Sequence, residues 1–96
     1  MNADEQAAVL VFAQRMQAKL DKNMHQGGRP DWLGDHPGAL MMRLEDELEE
    51  LQMVHEAGPV RLSAKEYAEA VANECADVAN FAMMIADWYL ERAKVL

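Results

Sequence analysis

Cysteine is nearly absent from this chain: the single Cys75 excludes an intramolecular disulfide framework and points to a reducing setting. Cys75 itself reads as a small buried hydrophobe. Long Val/Ile/Thr runs and Gly-Asn turn pairs are missing, which removes the usual signals of strands and hairpins. Basic residues are few. Nine Lys and Arg against 17 acids give a formal net charge of -8, which excludes a nucleic acid polymer as partner, since that needs a basic face. Nucleotides stay open, because a metal ion can carry the phosphate charge. No apolar run approaches a membrane span, and no basic-then-apolar leader opens the sequence. The expectation is a cytoplasmic protein with no membrane partner.

What remains is rich in Ala, Leu, Met and Val at helical spacing, so the class reads as all-α. A chain of 96 residues makes one domain, with a smaller buried fraction than a large domain has. Val9, Phe12, Ala13, Met16, Leu20 and Met24 predict a first helix over about 3–24, with Asn2 as its N-cap. Residues 25–36 are rich in Gly and Pro and predict a long loop, a frequent carrier of function. Trp32 lies in it and can either stack on a base or plug the loop onto the bundle. The next helix should start near Pro37, capped by Asp35 or His36, and stop at Ala57 before Gly58-Pro59. Ser63-Ala64-Lys65-Glu66 fits a capping box. Helicity then runs from Ala64 to Val95, as one long helix or with a kink near 70–73. Its 71–90 stretch is apolar almost all round, as in a central helix. One short chain has too few helices to surround it, so a partner subunit is expected.

Two short acid motifs interrupt this pattern. In the second long helix Leu40, Leu44, Leu48, Leu51 and Val54 form one stripe, with Glu47 in its middle and Glu50 on its edge. In the last helix Val78, Phe81, Met84, Ile85 and Trp88 share a face with Glu74 and Asp77. Buried carboxylates are costly unless paired or bound to metal, and the pattern places no Lys or Arg on these inward faces. Residues three apart on a helix are neighbours, so Glu47 with Glu50, and Glu74 with Asp77, can each grip one ion. Oxygen ligands without His or Cys suit Mg²⁺, or Mn²⁺. A di-iron centre would bring Glu-x-x-His motifs, and none occurs.

The segment Leu44-Glu45-Asp46-Glu47-Leu48-Glu49-Glu50-Leu51 resembles the Glu-Glu-x-x-Glu-Leu segment of the MazG-like, all-α nucleoside triphosphate pyrophosphohydrolases. Residues 73–80, centred on Glu74 and Asp77, resemble their Glu-x-x-Asp segment. Phe12-Ala13, Lys19-Leu20, Asn23, Gly27-Gly28, Trp32 and residues 76–87 look like the dATP/dGTP diphosphohydrolase branch found in phages and prophages. The resemblance covers roughly residues 9–90. It implies a helical bundle of three or four helices per chain, completed as a homo-dimer or homo-tetramer. It implies Mg²⁺-dependent hydrolysis of a (deoxy)nucleoside triphosphate to the monophosphate and pyrophosphate. Glu47, Glu50, Glu74 and Asp77 would be the metal ligands. Asp46, where the family often has Glu, would act with Glu47 on the attacking water, with Glu49 or the ion itself as substitutes. Lys22, Asn23, His25, Trp32 and Asn80 would contact substrate, and Lys19 and Arg29 are further bases near the loop. Two alternatives stand beside this: the same chemistry on dUTP, dCTP or a damaged nucleotide, and a non-catalytic helical interaction module.

Overall fold

The computed structural model describes residues 1–22 and 27–95. Among them there are four helices and no strand: α1 (Ala3–Lys22), α2 (Gly28–Gly34), α3 (Pro37–Ala57) and α4 (Ala64–Ala93). None is long and apolar enough to cross a membrane.

The helix ends follow local chemistry. At α1, Asn2 Oδ1 accepts the Glu5 N–H at 2.8 Å while Glu5 Oε2 accepts the Asn2 N–H at 3.2 Å, a reciprocal cap. Pro37 opens α3, and His36 is the cap, its Nδ1 accepting the Gly38 N–H at 3.0 Å. Gly58, at φ 70°, ends α3 in a backbone region that favours glycine. Ser63 and Glu66 form the expected capping box, each N–H reaching the other's side chain at 3.0 Å. From there α4 runs unbroken for 30 residues, without the alternative kink near 70–73. Tyr67 locks the α3–α4 turn: its hydroxyl shares one proton between the Val54 and His55 carbonyls, at 3.2 and 3.0 Å.

The stretch predicted as a loop contains α2. Pro30 falls in its first turn, where a missing N–H costs nothing. Seven residues are too few to be helical on propensity alone. Tertiary contacts hold them. Arg29 grips Asp87 through Nε and Nη2 at 2.8 and 3.0 Å and reaches Glu91 at 2.7 Å. Trp32 Nε1 donates to Asp87 at 2.9 Å, and Trp88 Nε1 donates to the Asp35 carbonyl at 2.9 Å.

Helices α1, α2 and α3 all pack on α4, which is therefore central. The buried set is small: Leu40, Ala76, Phe81 and the polar Asn80. Around them α4 is half-buried on every side from Ala70 to Val78 except at Ala76. Leu48 departs from the predicted stripe at 44% exposure, because α4 meets α3 along Leu44, Glu47 and Leu51. The chain exposes 7018 Å², whereas a compact monomer of its mass exposes about 5,500 Å². Val9, Leu10 and Val11 on α1 and Met41, Met42 and Met53 on α3 contribute to the excess.

Candidate functional site

Glu47 and Glu50 stand one turn apart on α3, and Glu74 faces them from α4. One carboxylate oxygen from each lies within 4.8 Å of the others. Oxygens on opposite sides of a six-coordinate Mg²⁺ lie about 4 Å apart, so a small contraction lets these three share one ion. Glu47 Oε2 and Glu74 Oε2 are buried without a hydrogen-bond partner. Two orphaned buried acceptors in an all-oxygen donor set fit a hard divalent cation, and this triad can bind one.

Without a cation the triad is electrostatically strained. Burial pushes the Glu47 carboxyl up to about 7, helped by a hydrogen bond with Glu50 and by the negative charges of Glu50, Asp77 and Glu74. Glu74 is also raised, first by burial and then by Glu50 and Asp77, with Lys19 pulling the other way. A bound cation would reverse both effects.

Asp77 lies apart from the triad. Its Oδ2 pairs with Lys19 Nζ at 3.3 Å, both side chains half-buried between α1 and α4. This corrects the expectation that no base faces the acids. Lys19 arrives from α1, and Arg43, exposed and one turn before Glu47, lies against Phe81 of α4.

These groups open on a cavity of about 550 Å³ between α1, α2, α3 and α4. Glu47, Glu50, Asp77 and Lys19 line its polar end, and Leu40, Phe81 and Met84 its apolar wall. Asn80 also lines it and is 4% exposed. Its Nδ2 donates to the Met16 carbonyl at 3.1 Å, which fixes the amide orientation, and its Oδ1 has no partner. The unsatisfied atom is thus an acceptor. It suits a hydroxyl donor rather than an ionised phosphate oxygen, which has no proton to give.

Trp32 forms part of the cavity wall, tethered through Asp87. Its plugging and ligand-facing roles are therefore compatible. Arg29 also lines the cavity, with its guanidinium engaged by Asp87 and Glu91. Asp46 and Glu49 are exposed and stand off the cavity wall, as does Lys22 at the end of α1. Asn23 and His25 lie outside the described residues. Arg43 was missed as a site residue although its spacing from Glu47 was visible. The Lys19–Asp77 pair had no local signal, because 58 positions separate its members. Compared with protein families, with characterised proteins and with solved structures, the chain matches none.

Proposed function

We propose that this chain is a Mg²⁺-dependent hydrolase of (deoxy)nucleoside triphosphates, with dATP and dGTP the first substrates to test. The products would be the monophosphate and pyrophosphate. The observation that carries the reading is the convergence of Glu47, Glu50 and Glu74, two of them with orphaned buried oxygens, with Glu47 and Glu50 lining one end of a nucleotide-sized cavity. A non-catalytic module would have no need of such an arrangement. The sequence resemblance to the MazG-like enzymes supplies the reaction type.

In this reading Glu47, Glu50 and Glu74 hold the ion, and Asp77 becomes a fourth ligand when Lys19 releases it. The bound Mg²⁺ supplies charge neutralisation to the phosphates and acidity to a water. Asn80 Oδ1 accepts a hydrogen bond from a sugar hydroxyl, and Trp32 closes the cavity over the nucleoside. Asp46 can take the attacking water's proton only after its side chain turns from the surface toward the cavity. The excess exposed surface favours the accompanying proposal that the chain works as a homo-oligomer, whose partner covers α1 and the open side of α4.

The test is turnover of each dNTP and NTP with Mg²⁺ or Mn²⁺, resolving monophosphate plus pyrophosphate from diphosphate plus phosphate. Metal-dependent pyrophosphate release is expected, and Glu47→Gln or Asp77→Asn should abolish it while the helical circular dichroism persists. Full activity in either variant would sink the assigned site. Pyrophosphate release from a pyrimidine alone would keep the chemistry and overturn the base preference.

A further inference from the structure

Among the described residues, the Lys and Arg side chains that line the cavity are engaged with acids except one. Lys19 is paired with Asp77, and Arg29 with Asp87 and Glu91. Arg43 lines the same cavity, yet among the described residues it has no ion pair and no side-chain hydrogen bond. Its guanidinium lies over the Phe81 ring, Cζ 4.6 Å from the centroid. Arg43 stands one helical turn before Glu47, so its guanidinium and the carboxylate cluster share one side of α3. Among the described residues Lys22, Arg61, Lys65 and Arg92 also have no ion pair, but none of them lines this cavity.

We propose that Arg43 is the anion-binding arm of the cavity and takes phosphate oxygens of an oligophosphate whose other oxygens are neutralised at the carboxylate cluster. The inference rests on the metal-dependent reading above and names the residue that reading lacked. Three arguments support it. All five N–H donors of Arg43 are unused, in the planar fork that matches a phosphate. A cation–π contact at an exposed site is weaker than a hydrogen bond between charged groups, so an arriving phosphate wins the guanidinium from the ring. Finally, the three neighbouring glutamates repel a bare monoanion. A ligand that bridges the cluster and Arg43 must bring a cation for one end and present free phosphate oxygens at the other, as a Mg²⁺-bound oligophosphate does.

The experiment uses the full chain and inorganic tripolyphosphate, which has no base or sugar. Calorimetry first measures Mg²⁺ alone, then tripolyphosphate at saturating Mg²⁺, for the wild type, Arg43→Gln and Arg43→Met. The methionine keeps an apolar stem over Phe81 and guards against loss of packing. Both variants should weaken tripolyphosphate about 10-fold or more while Mg²⁺ affinity stays within about twofold. Wild-type tripolyphosphate affinity in either variant overturns the role of Arg43 and leaves the metal reading intact. Equal loss of Mg²⁺ and tripolyphosphate binding, or loss of cooperative melting in both variants, makes Arg43 a structural residue and overturns the proposal. A wild type that binds no Mg²⁺ overturns both readings.

Discussion

Replacing Glu47 by Gln should make the metal-free protein more stable near neutral pH, although it removes a proposed ligand. Glu47 Oε2 is buried, and its carboxyl is held up to about 7 against an ordinary 4.5, first by burial and then by Glu50, Asp77 and Glu74. A carboxyl raised by folding binds its proton more tightly in the native state. Its favourable contribution is therefore fully present below 4.5 and is lost as pH rises through 7. Full conversion of that interval gives about 3 kcal/mol at about pH 8. The side chain is only half-buried at the cavity wall, so solvent screening reduces this to about 1–2 kcal/mol. For a domain of this size that is a rise in melting temperature of about 5–10 °C. The assay is thermal melting by circular dichroism in chelator, at fixed protein concentration because an oligomer's melting depends on it. The gain should vanish at about pH 4, where both proteins carry a neutral side chain. It should also shrink or reverse in saturating Mg²⁺ if, as proposed, only the wild type keeps the full ligand set. A variant that melts at or below the wild type near pH 8 in chelator would refute the claim that the cluster is strained by like charge.

Two further predictions concern neighbouring contacts. Lys19→Met should tighten Mg²⁺ binding several-fold by freeing Asp77 from a competing cation; weaker binding by calorimetry would mean that Lys19 instead orders the ligands. Asp87 is held down to about 2, chiefly by the Arg29 and Trp32 hydrogen bonds. Its contribution to anchoring α2 should therefore persist above about pH 4 and fade as pH falls through about 2. Asp87→Asn should bring forward to neutral pH the change in Trp fluorescence that acid produces; identical spectra at every pH would show that α2 docks without this pair.

The helices with strong local signals were legible: the Asn2 and Ser63 caps, Pro37 and Gly58 mark ends that the structure places at those residues. Helix α2 was not, since Arg29 and Trp32 meet their partner Asp87 more than 50 positions away. The inward position of Glu47 could be read from periodicity, and its meeting with Glu50 and Glu74 follows from α3 lying along α4. Leu48 was misplaced because a helical stripe spans several residues, and only the direction of approach of α4 decides which edge is covered. Lys19 was missed as a partner of Asp77 for the same reason that α2 was: the pairing is purely tertiary.

The placement of the acids explains why one set of side chains can govern both folding and ligand binding. Leu40, Ala76 and Phe81 close α3 against α4, and complete burial of a side chain the size of Leu or Phe contributes about 1.5–3 kcal/mol. The ionised cluster opposes the same closure by a comparable amount. With so small a buried core, the pair of helices gains little margin within one protomer. A cation that binds only the folded site adds stability by mass action, about 2.7 kcal/mol at a hundredfold excess over Kd, and removes the repulsion as it does so. A second protomer on the open side of α4 would act in the same sense through apolar burial. The two should therefore be coupled: Mg²⁺ should favour assembly, and assembly should tighten Mg²⁺, by the same factor.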